Sequence, residues 1–412
     1  MSGMVRGVPP ALKYRDFRAF WVGQAVSLIG TQFTNVAMAW QIYELTNSPL
    51  QIGLLGLARA LPQILLTLLG GLLADAVDRR RLLMATQVGP FLIAGGLALV
   101  TLGSGMSPPV LYVASALFAV FAALENPARQ SYVPNLVPRA DLTSAVALVT
   151  SMRQLSYILG PSLGGLLLAL AGSAWCYGLE SGARVVALGL LLTIHVRQSA
   201  AGRGRVTPAA LLEGIRFVRG QPVILMLMVL DFAANFFGSP RALLPVYARD
   251  FFGVGPEGLG IMFAASSLGA ISGALVMSTV GQPRQAGRWV LLGVAFYACS
   301  AMAFAFSPTF WIAVGLLAAM GVGDTISSVL RGSINQLMTP DELRGRVSAV
   351  NSVFVNVGPQ LGQFESGVVA SWWGTQASAF TGGLATLVIV TLIALVPTVR
   401  RFTMAREAPA QV

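Results

Sequence analysis

The stretch LQIGLLGLARALPQILLTLLGGLLADAVDRRR, residues 50–81, decides the fold class of this chain. Its first part, residues 50–74, carries a single charge, at Arg59. That part is long enough for a helix to cross a hydrocarbon core roughly 30 Å thick. It then runs into two acids and three successive arginines, which belong at a membrane surface rather than inside it. The stretch therefore predicts a transmembrane helix followed by a charged loop.

Similar apolar segments recur along the whole chain. Of its 412 residues, 55% are hydrophobic and only 10% are charged, and the mean hydropathy is +0.72. Soluble domains carry about 25% charged residues. Only helices and closed barrels satisfy their backbone hydrogen bonds inside lipid, and these segments lack the alternating pattern of a barrel strand. We therefore expect an all-α membrane protein.

Twelve transmembrane spans are predicted, in two sets of six. The first set covers residues 17–45, 50–74, 82–102, 109–126, 142–171 and 174–196, and the second covers 223–247, 259–280, 289–306, 310–336, 347–373 and 377–396. The longest polar connection lies between the two sets. The predicted domains are an N-terminal six-helix bundle (1–196), a cytoplasmic central loop (197–222), a C-terminal six-helix bundle (223–397) and a cytoplasmic tail (398–412).

Basic residues are distributed unevenly among the predicted loops. If the N-terminus lies in the cytoplasm, the cytoplasmic segments receive nearly all of them, and the opposite side receives essentially Arg249. Arginine-rich loops of membrane proteins face the cytoplasm. The sequence thus predicts an even number of spans with both termini cytoplasmic. The net charge of +11 reflects this topology rather than a nucleic-acid surface.

The two halves contain short matching segments. GPSLG at residues 160–164 is matched by GPQLG at 358–362, and GLL at 53–55 is matched by GIM at 260–262. Both separations are near half the chain length. Parallel repeats related by an axis along the membrane normal are typical of one large class of secondary transporters.

The loop after the second span resembles a signature of the major facilitator superfamily. GLLADAVDRRR at residues 71–81 follows the pattern Gly-x-x-x-Asp-Arg-x-Gly-Arg-Arg, with Ala76 where Arg is usual and Asp78 where Gly is usual. An acid at a helix end can pair with arginines or a helix N-terminus and form a breakable latch. The resemblance implies a gating loop of Gly71, Asp75, Asp78, Arg79, Arg80 and Arg129. The alternative is a charge cluster that only fixes the topology.

The fifth span contains a second motif. GPSLGG at residues 160–165 resembles the antiporter signature of exporting members of that superfamily. Proline removes a backbone hydrogen bond and glycine admits a neighbouring helix, so we expect a bend and tight packing at Gly160, Pro161, Gly164 and Gly165. The alternative is ordinary packing of small residues, which are common in membrane helices.

Other segments are similar to the third drug:proton antiporter family, which includes the enterobactin exporters. They are NPARQ at 126–130 with Pro138-Arg139, TPDELRGR at 339–346, WCYGL at 175–179 and SSVL at 327–330. The resemblance covers nearly the whole chain. It implies the major facilitator fold, with twelve helices in two six-helix pseudo-repeats. It also implies proton-coupled export of a siderophore or an amphipathic drug by alternating access.

The same resemblance implies the setting of the protein. It is expected to be a multi-pass monomer of the bacterial inner membrane, with a small-molecule substrate, protons and lipid as partners and with no nucleic acid, cofactor or metal. Two alternatives stay open: an importer of a nutrient or metabolite with the same fold, and a non-transporting receptor or scaffold. Substrate counterflow in proteoliposomes separates a carrier from a scaffold.

An enzyme is not expected. ATP-driven transport needs a phosphate-binding loop with a lysine, and the single lysine, Lys13, lies outside any such motif. A zinc protease of the HExxH type needs two histidines, and the chain has only His195.

Polar and ionisable side chains inside the predicted spans mark the candidate substrate and proton-coupling site. Inserting one charge costs at least about 2.5 kcal/mol, so each is a functional candidate. The candidates are Arg59, Arg153, Asp231, Asp324 and Glu365, with the amides Asn35 and Asn235. The resemblance implies that these charges lie on cavity-lining spans. Glu180 and Arg184, four residues apart on a supporting span, are expected to form a structural pair.

Proton coupling needs an acid whose proton affinity changes as access alternates, and burial and a nearby arginine change it in opposite directions. Asp231 is the first candidate and Asp324 the second. The alternative is a static bridge to Arg59, Arg153 or Arg331. A hydrogen-bonding wall is predicted on the first span, and aromatic side chains are predicted as a stacking surface. The residues concerned are Gln24, Gln32, Asn35 and Gln41 for the wall, and Trp40, Phe236 and Phe237 for the stacking surface.

Overall fold

The computed structural model describes residues 9–76, 79–195, 208–238, 240–281 and 283–403. Within these ranges the chain consists of helices and short connections, without a β-strand. The first half contains α1 (Arg15–Thr46), α2 (Pro49–Ala76), α3 (Arg79–Leu102), α4 (Pro108–Tyr132), α5 (Leu142–Ala171) and α6 (Ser173–Leu192). The second half contains α7 (Pro208–Gly220), α8 (Pro222–Phe236), α9 (Leu244–Val246), α10 (Gly255–Val280), α11 (Ala286–Ala305), α12 (Phe310–Met338), α13 (Asp341–Trp373), α14 (Thr375–Ala394) and α15 (Pro397–Arg400).

Proline and glycine set several helix boundaries. Pro49, Pro108 and Pro222 are the first residues of α2, α4 and α8, where a missing backbone N–H leaves no hydrogen bond unmade. Gly172 joins α5 to α6 with a φ of 81°, and Gly374 joins α13 to α14 with a φ of 91°. Glycine adopts such positive φ angles without a steric cost. The two glycines hold equivalent places in the two halves, as the predicted repeat requires.

Nine helical segments of the described part are long and apolar enough to cross a membrane. The other three predicted spans, 17–45, 174–196 and 347–373, coincide with α1, α6 and α13. These helices carry more polar residues, including the amides of α1 and the charged pair of α6. Each predicted span thus overlaps a helix of the described part, and the count of twelve crossings stays a prediction.

The seventh predicted span, 223–247, is not one continuous helix. α8 ends at Phe236, and a 3-10 turn at Pro240–Leu243, α9 and a π-helical turn at Tyr247–Phe251 follow. A proline at position 240 lacks the N–H of a helical residue and clashes with the carbonyl of the preceding turn, which favours the end of α8 at Phe236. The prediction of a single helix is therefore wrong, although the segment Pro222–Phe251 as a whole could span a membrane.

The chain divides into two compact units. The first consists of Met1–Gln41 and Leu61–Val206, and the second of Ile42–Ala60 and Thr207–Val412. In the first unit, α3 packs against α4 and α6. In the second unit, α12 packs against α10 and α11, α11 packs against α14, and α13 packs against α7 and α8. The domain boundaries predicted from the sequence stay a prediction, and α7 occupies much of the predicted central loop.

Glycines let α5 and α13 lie directly on neighbouring helices. In the first unit, a methyl group on Gly164 would lie 3.1 Å from the Cα of Phe33 in α1. In the second unit, a methyl group on Gly362 would collide with the backbone of Asn235 and Phe236 in α8. Small residues allow such close approach of helix backbones. The expected tight packing is confirmed, and the GPSLG and GPQLG segments have the same packing role in the two units. α5 passes through Pro161 as one helix, and the transport role of its motif stays a prediction.

Candidate functional site

The second unit contains an ion pair between Asp231 of α8 and Arg331 of α12. Arg331 Nη2 lies 2.6 Å from Asp231 Oδ1, and the exposed fractions of the two side chains are 7% for Arg331 and 17% for Asp231. Ser327, one turn before Arg331, accepts a hydrogen bond from Nη1 at 2.9 Å. Asn235, one turn after Asp231, donates to Oδ1 at 3.2 Å. Asp231 and Arg331 form the second-unit pair, with Ser327 and Asn235 as neutral partners. The predicted shared face of Asp231 and Asn235 is confirmed.

Both contacts of the Asp231 side chain within the described part of the chain meet Oδ1, so Oδ2 remains available for a ligand or a proton. Asp324, two turns before Arg331 on α12, is half-buried and acts electrostatically on Asp231. Of the three arginines predicted as static partners, Arg331 forms the bridge. The arrangement thus combines an acid, a fixed positive charge and a second acid nearby.

Aromatic rings follow Asp231 along α8. Phe232 and Phe236 stack with ring centroids 5.2 Å apart, and Phe354 of α13 meets Phe232 edge-on at 6.0 Å. Phe237 meets Phe236 edge-on at 4.7 Å. Phe236 and Phe237 are half-buried, as a stacking surface requires, whereas the predicted Trp40 is buried and belongs to the core.

The remaining predicted site residues lie elsewhere. Glu365 of α13 is half-buried and accepts a hydrogen bond from Ser366 at 3.4 Å. Arg59 of α2, in the second unit, and Arg153 of α5, in the first, are half-buried. Asn35 of α1 is half-buried and donates to Gln32 at 3.4 Å. Among the described residues, no group of three or more His, Cys, Asp or Glu side chains could hold a metal ion.

The predicted gating loop is only partly described. Asp78 lies outside the described residues, and so do the surroundings of Gly71 and the side chains of Asp75 and Arg79. Arg80 donates to the backbone oxygen of Leu192 at 3.2 Å. That oxygen lies at the C-terminal end of α6, where a helix favours a positive charge.

Arg129, the last residue assigned to that loop, lies inside α4 and is only 3% exposed. Its guanidinium donates to Gln24 at 3.3 Å and to Asn126 at 2.5 Å, and it lies 3.9 Å from Glu125. These partners satisfy its charge within the first unit, and α4 continues to Tyr132 instead of ending near Asn126. Arg129 thus lies in a helix and not in a loop, and its predicted gating role stays a prediction.

Arg129 belongs to a buried network of charges in the first unit, formed with Glu125, Glu180 and Arg184. Arg184 of α6 lies 3.1 Å from Glu180 and 3.3 Å from Glu125. The two acids and two arginines are all buried. Thr31 and Gln87 accept hydrogen bonds from Arg184, and Ser27 donates a hydrogen bond to Gln87. The predicted Glu180–Arg184 pair is confirmed, as part of this larger first-unit network.

Glu125 is not among the predicted site residues, although the sequence carries a signal for it. Glu125 precedes Arg129 by four residues, the spacing at which opposite charges meet on a helix. The predicted hydrogen-bonding wall on α1 also needs correction. Gln24, Gln32 and Gln41 are buried, and Gln41 accepts from Tyr177 at 2.8 Å. These amides mainly satisfy partners inside the first unit, because a buried amide needs internal hydrogen bonds.

A further polar cluster, not predicted, lies near the end of α1. Tyr43 donates a hydrogen bond to Asp250 of the π-helical turn. The guanidinium of Arg249 lies over the Tyr43 ring, 5.6 Å from its centroid. All three residues belong to the second unit. The adjacent opposite charges of Arg249 and Asp250 could have indicated this cluster.

Outside the spans, Tyr14 donates to Asp141 Oδ2 at 2.7 Å. This hydrogen bond raises the pKa of Tyr14 above its ordinary value, with smaller contributions from burial and from the charge of the carboxylate. The contact ties the segment before α1 to the segment before α5.

Long apolar helices that bury ion pairs are characteristic of membrane carriers, because charges held inside spans mark substrate and ion pathways. The fold and these charges define a multi-pass membrane transporter rather than an enzyme. Within that class, the chain belongs to the family described as transmembrane secretion effector, of the major facilitator superfamily, which matches residues 9–411.

Similar proteins include the enterobactin exporters EntS of two bacteria. The Shigella boydii protein is 28% identical over 397 residues, covering 96% of this chain and 94% of the relative. The Escherichia coli O1:K1 protein is 29% identical over 399 residues, with the same coverage.

Solved structures with similar folds are also transporters. A bacterial homologue of the human lysosomal transporter Spinster, inward-facing and unoccupied, has a TM-score of 0.77 at 14% identity and covers 97% of this chain and 100% of that one. A bacterial homologue of the iron transporter ferroportin, inward-facing, has a TM-score of 0.67 at 17% identity and covers 92% and 99%. These likenesses concern the fold, and they confirm the predicted major facilitator fold.

Proposed function

We propose that this protein exports a siderophore of the enterobactin type in exchange for protons, by alternating access. The family and the relatives named as enterobactin exporters support export of such a substrate. The observation that carries the coupling mechanism is the second-unit pair, in which a partly exposed acid lies against a buried arginine.

Asp231 is the proposed proton carrier. Burial opposes its ionised form and Arg331 favours it, so small changes in access shift the balance between the two forms. Oδ1 is held by Arg331 and Asn235. The ionised carboxylate can then accept hydrogen bonds from catechol hydroxyls through Oδ2, and the rings of Phe232 and Phe236 offer a stacking surface beside it.

Exchange follows from competition at one carboxylate. Catechol hydroxyls bind the ionised form, because a charged acceptor makes stronger hydrogen bonds than a neutral one. A proton arriving from the other side neutralises Asp231, weakens those bonds and releases the substrate. The proton leaves when the site faces the side of lower proton concentration. Asp324 is the second candidate for the same role. Its carboxylate repels the negative charge of the ionised Asp231.

The proposed setting is the bacterial inner membrane, with both termini in the cytoplasm and the protein acting as a monomer. The uneven distribution of arginines between the predicted loops supports this orientation. The gating role of Asp75, Asp78, Arg79 and Arg80 and the antiporter role of Gly160, Pro161, Gly164 and Gly165 are part of the same proposal.

Transport in proteoliposomes tests the proposal. With enterobactin as substrate, we expect a pH gradient to drive transport by the natural protein. Asp231→Asn should abolish gradient-driven transport, because the amide cannot carry a proton. It should still exchange labelled for unlabelled enterobactin at saturating substrate, because the amide keeps the shape of the site although it binds the substrate more weakly.

The matched control is Glu257→Gln, which removes an exposed acid from the first turn of α10 in the same unit. It should transport as the natural protein does. Gradient-driven transport by Asp231→Asn at the natural rate would remove Asp231 from the mechanism. Absence of both gradient-driven transport and exchange of enterobactin by the natural protein would contradict the substrate, and accumulation with the proton gradient would indicate an importer.

A further inference from the structure

α7, within the predicted central loop, has two different faces. Gly214 and Val218 are buried on one face. Gly214 lies close to the backbone of Arg346 in α13, and Val218 joins a hydrophobic cluster with Ile224 of α8 and Val347 of α13. This face fixes α7 to the rest of the second unit.

The opposite face combines exposed apolar and basic side chains. Leu212 is 62% exposed and Ile215 is 37% exposed, and Arg216 and Arg219 are exposed beside them. The spacing of three, four and seven residues places all four on one side of a helix. In bulk water this face would leave the apolar side chains of Leu212 and Ile215 in contact with solvent, which is unfavourable.

The position of α7 indicates what meets this face. α7 ends at Gly220 and α8 begins at Pro222, at the start of a segment that could span the membrane. A helix so close to a span lies at the boundary between lipid and water. Interfacial helices characteristically insert apolar side chains among lipid headgroups, while arginines along the same face reach the phosphates.

The acid of α7 is held away from this face. Glu213 pairs with Arg346 of α13, with Nη1 and Oε1 2.5 Å apart. The pairing partly neutralises a charge that would repel anionic lipid. The exposed face is thereby dominated by the positive charges of Arg216 and Arg219, on the side of the membrane that carries most of the arginines of the chain.

We propose that the face formed by Leu212, Ile215, Arg216 and Arg219 docks on the membrane surface by binding the headgroups of anionic phospholipids. Docking anchors α7 at the membrane surface. Through the contacts of α7 with Arg346 and Val347, it also anchors the N-terminal end of α13. The proposal concerns lipid rather than the transported substrate and goes beyond the proposed export function.

Lipid contact can be measured on the full-length protein in vesicles. The probe is Leu212→Cys carrying a bimane label, in a chain that also carries Cys299→Ser, since Cys299 is exposed and Cys176 is buried. Brominated lipids quench the label when it lies among headgroups or upper acyl chains. We expect strong quenching in phosphatidylcholine vesicles that contain phosphatidylglycerol, and weaker quenching in phosphatidylcholine alone.

Charge removal gives the decisive comparison. Arg216→Gln with Arg219→Gln should weaken docking about 25-fold, since each arginine near an anionic surface contributes about fivefold. The matched control is Arg284→Gln with Arg288→Gln, which removes two exposed arginines of the same unit on the same predicted side. That control should leave the quenching unchanged, and both variants should unfold at the temperature of the natural protein.

Three results would overturn the proposal. One is a label unquenched in both lipids. Another is quenching that Arg216→Gln with Arg219→Gln leaves unaltered. The third is quenching that depends on protein density, which would indicate a second copy of the chain on this face. Because transport is not part of the readout, failure of the export proposal would leave this test intact.

Discussion

The two units bury charge in opposite ways. In the first-unit network, Glu125, Arg129, Glu180 and Arg184 neutralise one another, and each has partners from other helices. The second-unit pair has one acid, one arginine and few neutral partners, and Asp231 keeps 17% of its side chain exposed. A sealed network cannot change its charge without losing its hydrogen bonds. A partly open pair can change its charge more easily, so we propose that the first-unit network holds the fold and that the second-unit pair takes part in transport.

The largest expected effect comes from breaking the first-unit network. Arg184→Ala leaves Glu180 and Glu125 buried without their main partner. Removal of one member of a buried ion pair costs about 3–5 kcal/mol, so the free energy of unfolding should fall by about that amount. Thermal unfolding in detergent measures this loss. Arg184→Lys is the milder control, because it keeps the positive charge, although lysine cannot reproduce the forked contacts of arginine. An Arg184→Ala protein as stable as Asp231→Asn would break the distinction between the units.

A smaller effect is expected where α13 lies on α8. A methyl group at Gly362 would collide with the backbone of Asn235 and Phe236, whereas one at Gly164 would lie 3.1 Å from Phe33 in the first unit. Overpacking costs about 1–3 kcal/mol, so Gly362→Ala should lower the unfolding temperature more than Gly164→Ala. Equal shifts in the two variants would show that the two close contacts are equally tight.

Asp231→Asn should change stability by a similar or smaller amount. The amide oxygen that replaces the carboxylate would still accept a hydrogen bond from Arg331. A hydrogen bond between charged groups, which contributes about 1.5–3 kcal/mol, is therefore replaced by a weaker one with a neutral acceptor. We expect a loss of about 1–2 kcal/mol in chemical denaturation. A loss as large as that of Arg184→Ala would mean that the second-unit pair is as structural as the first-unit network.

The smallest effect is expected for the exposed pair of Glu213 and Arg346, whose side chains are 52% and 38% exposed. Exposed pairs contribute about 0–1 kcal/mol. Glu213→Gln should therefore leave the unfolding temperature nearly unchanged, as differential scanning fluorimetry can check. A marked fall would show that α7 depends on this pair and not on the burial of Val218.

Much of this fold could be predicted because its signals are local. Apolar length, proline at helix starts and glycine between α5 and α6 all act within one or two turns of the chain. The break after α8 was also locally encoded, in Gly238 and Pro240, but the apolar character of the segment concealed it. α7 escaped prediction because it is only 13 residues long and its apolar residues are interrupted by Glu213, Arg216 and Arg219.

The candidate site was less predictable, because its contacts are between distant parts of the chain. The spacing of Asp231 and Asn235 indicates a shared face, whereas the choice of Arg331 among three arginines depends on how α8 packs on α12. Glu125 and Arg184 are 59 residues apart, and no local pattern joins them. The close approach of α4 and α6 to α3 creates that contact.

Proton release on substrate binding is the sharpest test of Asp231 as the proton carrier. The natural protein, in weakly buffered detergent solution, should release up to one proton as enterobactin binds, and its affinity should rise with pH, because the substrate binds the ionised form of Asp231. Asp231→Asn should bind more weakly and release none. A natural protein that binds enterobactin without releasing a proton, or an Asp231→Asn protein that releases as much, would contradict the account.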